Sequence, residues 1–149
     1  MFVKSQIVAR MGFPQNGAAL ISVNDYDKSA GLKVARDLHR MGFKLYATTG
    51  TASFFNRVGI PVEAVQKIGE GSTAIVDLIK SGKVQFILNT PLGTHAHTDG
   101  AEIRATAISM NIPLLTTLSA AMAAVAAIQA LNKKELRYRS LQSHFRSDR

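Results

Sequence analysis

Phe43-Lys44-Leu45-Tyr46-Ala47-Thr48-Thr49-Gly50-Thr51-Ala52 is the stretch that decides how the chain is read. The run Phe43 to Ala47 is apolar and follows Gly42, the pattern of a buried strand. It closes on Thr48-Thr49-Gly50-Thr51, and Ala52 to Val58 then reads as a short helix stopped by Gly59. A strand, a small Gly/Thr turn and a helix start make a place for an anion. The first amides of a helix have no internal partner, and the helix dipole favours negative charge there. Gly50 permits close approach of a phosphate, and the threonines supply hydroxyls. An ordinary strand-to-helix turn with Thr as N-cap accounts for the same residues.

Outward from this stretch the pattern repeats. Before it, Ala18 to Val23 is a buried strand and Asn24 to Ser29 is a polar segment able to cap a helix. Ala30, Val34, Leu38 and Met41 then recur at helical spacing up to Gly42. After it, Ile60 to Val65 is an edge-like strand because of Pro61, and Lys67 to Ser72 is a loop. Ile75, Leu78 and Ile79 mark a helix ended by Ser81-Gly82, and Val84 to Leu88 is a strand. Asn89 to Gly100 reads as a long polar loop, with Asp99 as a possible N-cap of the helix marked by Ile103, Ala107 and Ile108. Pro113 to Thr117 is a final strand, and Ser119 caps an Ala-rich helix to Leu131. Strands alternating with helices of about ten residues predict right-handed βαβ units and a parallel sheet covered on both faces. In such α/β folds ligands bind beyond the carboxyl ends of the strands.

Composition narrows the function. The chain has 149 residues, 46% of them hydrophobic, enough for one domain with a sizeable core. It has no cysteine, which excludes a disulfide framework and a thiolate metal site. The longest apolar region, Ala120 to Leu131, is too short to span a bilayer, and Met1 to Gln6 lacks the form of a signal peptide. A cytoplasmic protein without membrane association is expected. The net charge is +8, and Lys133 to Arg149 carries half of it, with six Lys/Arg against Glu135 and Asp148. That segment reads as a solvated basic tail, and no nucleic-acid reading motif accompanies the charge.

The strand ends gather Ser22, Thr48 to Thr51, Asn89-Thr90 and Thr116-Thr117, and the loops beyond add Lys28, Lys67, His95 and His97. Hydroxyls, amides and a few cations suit a phosphorylated small molecule such as a nucleotide or sugar phosphate, with Lys28 or Lys67 as a point charge on the phosphate. Each lysine taken singly also fits a solvated surface charge. Two histidines at i, i+2 without a placed third ligand do not make a metal site. One of them can serve a ligand oxygen, or simply face water. There are no paired carboxylates, no nucleophile beside a base and no GxxxxGK[ST] loop, so ATP-driven chemistry within this chain is not expected.

Ser22-Val23 with Asp27-Lys28, Ala47 to Ala52, Lys67-Ile68-Gly69-Glu70-Gly71, Ile87 to Thr90 and Thr116-Thr117 together resemble the methylglyoxal-synthase-like domain. Within that superfamily they look most like the C-terminal regulatory domain of the carbamoyl phosphate synthetase large chain. Phe2-Val3-Lys4-Ser5-Gln6 resembles the end of the ATP-grasp half that precedes this domain. The resemblance implies a Rossmann-like three-layer α/β sandwich with a mostly parallel five-stranded sheet. It implies residues 1–17 as a lead-in, 18–132 as the effector domain and 133–149 as the basic tail. It further implies a domain without catalytic residues, cofactor or metal, part of an ATP-dependent ligase. Such a domain binds UMP or IMP as effector and signals to the ATP-grasp domains that make carbamoyl phosphate for pyrimidine and arginine synthesis. Carried over by position, Ser22, Lys28, Thr48, Thr49, Gly50, Thr51, Lys67, Asn89 and Thr90 surround the nucleotide phosphate and ribose, with His97 as a possible further contact. A homo-oligomer is compatible with this reading, as is either a fragment of the synthetase or a separate subunit. Where the bacterial UMP pattern continues with a second Thr and Ser-Gly-Arg, this chain has Pro91-Leu92-Gly93-Thr94, which leaves the effector open.

The alternative is methylglyoxal synthase, a lyase acting on dihydroxyacetone phosphate, since Thr90-Pro91-Leu92 and His97 resemble its Asp-Pro-Leu and histidine region. That reaction needs a carboxylate base where this chain has Glu70-Gly71-Ser72, and a serine without a partner is a poor base. The related IMP cyclohydrolase domain shares the Ser-Val and Gly-Thr-Ala elements but belongs to a longer chain.

Overall fold

The computed structural model describes residues 17–66, 74–90 and 93–147. Among the described residues five strands and five helices alternate. They are β1 (Ala18–Val23), α1 (Lys28–Arg40), β2 (Lys44–Thr48), α2 (Thr49–Arg57), β3 (Glu63–Val65), α3 (Ala74–Lys80), β4 (Phe86–Thr90), α4 (Gly93–Ser109), β5 (Leu114–Leu115) and α5 (Leu118–Ser147). A 3₁₀ turn, Asp25–Asp27, joins β1 to α1. The strands form one sheet in the order β3-β2-β1-β4-β5, and every pairing is parallel.

Side chains alternate across the central strands and divide the core into two layers, as a sheet covered on both faces requires. Ala19, Ile21 and Val23 of β1 pack with Phe86 and Leu88 of β4 beneath Val34 and Leu38 of α1, Phe55 of α2 and Ile128 of α5. Ala18 and Leu20 point the other way, with Ile87, beneath Ile75 and Ile79 of α3 and Ile103 and Ala107 of α4. The α/β sandwich expected from the alternation is the fold observed. Met41 ends α1 and Gly42 follows at φ +91°, a left-handed conformation that favours glycine and lets the chain turn directly into β2.

Several boundaries differ from the sequence expectations. Thr49, Gly50 and Thr51 belong to α2, so that helix begins three residues earlier than Ala52. Asn89 and Thr90 lie in β4, and the polar stretch from Gly93 onward is the first half of α4. Asp99 is therefore inside that helix and not its cap. Polarity alone suggested a loop there, but the stretch Gly93–Ser109 contains no proline to break a helix. β5 is only Leu114–Leu115, and the cap of α5 is Thr117, whose hydroxyl oxygen accepts from the Ala120 amide at 3.1 Å, and not Ser119. α5 runs past Leu131 through the basic segment to Ser147. The loop expected at Lys67–Ser72 lies outside the described residues, apart from its flanks.

Candidate functional site

β1 is the strand on which the chain changes direction. β2 and β3 are laid down on one side of it, and β4 and β5 on the other. The carboxyl ends of β1 and β4 thus border the crevice where open α/β sheets receive ligands. Ser22 pairs with Asn89 in register and Val23 with Thr90, so these four residues share that edge. Asn89 and Thr90 are buried and Ser22 is half-buried.

A network of short side chains fixes the rim. The Thr90 hydroxyl oxygen accepts from the Asn24 backbone amide at 3.1 Å and from its side-chain amide at 3.4 Å. Asn24 also caps the 3₁₀ turn, accepting from the Asp27 amide at 2.9 Å and donating to the Asp27 carboxylate at 2.8 Å. On the β2 side, the Thr51 hydroxyl accepts from the Val23 amide and donates to the Val23 carbonyl, both at 3.4 Å, while the Thr48 hydroxyl donates to Thr51 at 3.2 Å. Thr48 and Thr51 are 3% and 2% exposed. Their hydroxyls are committed inside the protein and tie the start of α2 to the end of β1. Thr48 occupies the N-cap position of α2 but makes no side-chain capping bond.

Thr49 and Gly50 are the exposed members of that turn, and the Thr49 hydroxyl donates to the Val65 carbonyl at 3.4 Å. Among the described residues, a Cβ built on Gly50 would meet one group from beyond its own helix within 4 Å, the Lys28 ammonium at 3.8 Å. The Lys28 side chain is only 18% exposed, lies in the first turn of α1 and pairs with the Asp25 carboxylate. A cation in a helix's first turn opposes the dipole, so its position does not serve α1 itself. Its ammonium stands over the first turn of α2, where a bound anion would offset both positive ends. The described charges at this rim are Lys28, Asp25 and Asp27.

Of the residues read from the sequence, Ser22, Lys28, Thr48, Thr49, Gly50, Thr51, Asn89 and Thr90 converge on this one end of the sheet. Lys67 lies outside the described residues. His97 is in the first turns of α4, and its side chain is likewise outside them. Two participants were not singled out beforehand: Asn24, whose spacing from Asp27 is that of a capping residue, and Asp25, which carries no local signal beyond its position three residues before Lys28. Among the described residues no group of three His, Asp or Glu could hold a metal ion. None of their helices is long and apolar enough to cross a membrane.

The family model for the MGS-like domain matches residues 30–116. The chain belongs to the MGS-like domain family. Within the MGS-like family it is similar to the carbamoyl phosphate synthase large chain of Gemmatimonas aurantiaca, 45% identical over 95% of this chain and 13% of that protein. It is also similar to the C-terminal section of the carbamoyl phosphate synthase large chain of Methanopyrus kandleri, 43% identical over 97% of this chain and 27% of that protein. The chain therefore spans between an eighth and about a quarter of the length of these relatives. Its MGS-like fold is also that of methylglyoxal synthase from Elizabethkingia anophelis, with TM-score 0.58 at 18% identity, covering 74% of this chain and 76% of that one.

Proposed function

We propose that this MGS-like domain is a regulatory module of carbamoyl phosphate synthase, binding a nucleoside monophosphate of the UMP or IMP type and performing no chemistry of its own. The observation that carries the reading is the Lys28 ammonium over the open face of Gly50. It supports a phosphate held between that cation and the amides of the α2 first turn, with the Thr49 hydroxyl beside it. Ser22, Asn89 and Thr90, at the β1/β4 edge, are the polar groups available to a ribose. Thr48 and Thr51 support the site from beneath, since their hydroxyls are already bonded within the protein. Relatedness to carbamoyl phosphate synthase large chains supports the synthetase as the setting, with its ATP-grasp portion as the partner to which binding is coupled. Coupling of that kind requires the effector to bind the two states of the assembly with different affinity.

The experiment is calorimetric titration of the purified chain with UMP, IMP and dihydroxyacetone phosphate, followed by a colorimetric assay for methylglyoxal with the last. Saturable nucleotide binding without product is expected. Methylglyoxal formed at enzymatic rates and lost on Glu70→Gln or His97→Ala would replace the regulatory reading with a lyase.

A further inference from the structure

We infer that Asn24 is a positioning residue of this site, holding the start of α1, and with it the Lys28 ammonium, against the end of β4. The inference rests on the phosphate-binding reading above. Lys28 is the first residue of α1, and Asp27 occupies the N-cap position of that helix without making a side-chain capping bond. The Asp27 carboxylate is turned back instead and accepts from the Asn24 side-chain amide at 2.8 Å. The Asn24 side-chain oxygen accepts in return from the Asp27 backbone amide at 2.9 Å. The start of α1 is therefore fixed through the 3₁₀ turn before it, and Asn24 is the residue that caps this turn.

Asn24 is itself anchored to the sheet. Its backbone amide and its side-chain amide both donate to the hydroxyl of Thr90, the buried last residue of β4. One half-buried side chain thus joins a fixed point on the sheet to the turn that delivers the lysine. Asp25, the ion-pair partner of Lys28, lies in the same turn, so both members of that pair depend on it. A phosphate held between the Lys28 ammonium and the α2 amides needs that cation to stay over Gly50, where the two are 3.8 Å apart at the Cβ position. Asn24 sets the affinity without touching the ligand, because a group already held in its bound position loses less freedom on binding. Removing its side chain is expected to weaken phosphate binding roughly three- to tenfold, the effect of losing a cap and its accompanying hydrogen bonds.

The test is titration of the full chain with inorganic phosphate and with UMP, in the parent, Asn24→Ala and Asn56→Ala. Asn56 makes two 3.1 Å bonds to the Val62 backbone at the other end of α2, so its loss is the control for lowered stability. Asn24→Ser keeps an oxygen able to cap the turn but loses the amide donors, and it replaces Asn24→Ala should that chain not fold. The lysine ε-methylene resonances are recorded beside the titrations by carbon–proton NMR, with Lys28 assigned by its disappearance in Lys28→Ala. The Asn24 variant is expected to bind both ligands roughly three- to tenfold more weakly, with the Lys28 resonance moved toward that of a free lysine, while Asn56→Ala matches the parent in both. Unchanged affinity in the Asn24 variant, a loss shared equally by Asn56→Ala, or weaker binding with the Lys28 resonance unmoved overturns the inference and leaves the phosphate site standing. No phosphate or UMP binding by any folded form overturns the site and the inference together.

Discussion

Gly50 separates stability from binding. Its backbone is ordinary helix, since its φ is not in the left-handed region, and a methyl group there would lie 3.8 Å from the Lys28 ammonium, an ordinary contact. Helix propensity therefore favours Gly50→Ala by up to about 1 kcal/mol, or a rise in Tm of a few degrees, on the order of 3 °C. The same methyl fills the space an anion needs above the α2 amides. The expected outcome is a chain at least as stable by thermal melting that binds UMP at least about tenfold more weakly by calorimetry, because a misplaced phosphate loses its charge-assisted bonds. Lys28 and Gly50 were both singled out in the sequence, and the fold brings the Lys28 ammonium over Gly50. That Thr48 and Thr51 turn their hydroxyls inward was not legible there, because their bonds go to each other and to Val23, far along the chain from Thr51.

At the scale of the element, the edge strand β3 carries an electrostatic clasp on β2. Lys44 lies 3.1 Å from the Glu63 carboxylate and 5.0 Å from the centre of the Tyr46 ring. The hydrogen bond to Glu63, then that to Tyr46, raise the lysine above its ordinary value of 10.5. A lysine whose value is raised on folding lends its stabilisation fully below the unfolded value and loses it as pH rises through the folded one. Thermal melts of the parent are therefore expected to show a steeper loss of Tm above about pH 10 than those of Glu63→Gln, and identical slopes would contradict the clasp. Strand existence was readable from apolar runs bounded by turn residues, and β1 matches its expected limits, Ala18–Val23. Helix starts were less readable. The polar first half of α4 carries no apolar periodicity that would distinguish it from a loop, and α2 begins on threonines that equally suit a turn.

α5 belongs to the same scale. Among the described residues, its buried ones run from Ala121 to Ile128, and beyond Asn132 Lys133, Lys134, Arg137, Tyr138 and Leu141 are exposed. Among the described residues, those of α5 that pack on the sheet end at Leu131. A chain ending at Asn132 is expected to melt within about 2 °C of the parent, since the described residues beyond it are exposed and surface residues away from packing contribute little. A loss of 10 °C would place residues 133–149 within the folding unit. The charge of this segment was legible from composition. Its helical form was not, since a run of Lys, Arg and Glu suits an exposed helix and an unstructured tail equally well.

For the whole molecule, the sheet order explains why residues distant in sequence meet. With β1 between β2 and β4, the first helix turn after β1, the turn after β2 and the end of β4 open at one edge. Periodicity indicated a parallel sheet, but strand order is a long-range property that no local pattern encodes. The convergence of Lys28, Gly50 and Thr90 follows from that order. This convergence is the proposed phosphate site. Titration of UMP into the parent chain and into Lys28→Ala tests it most directly. Saturable binding near one site per chain is expected, weakened at least about tenfold in the variant by loss of a charge-assisted contact, with both chains folded by circular dichroism. Equal affinity in the two, or no binding to a folded parent chain, would contradict it.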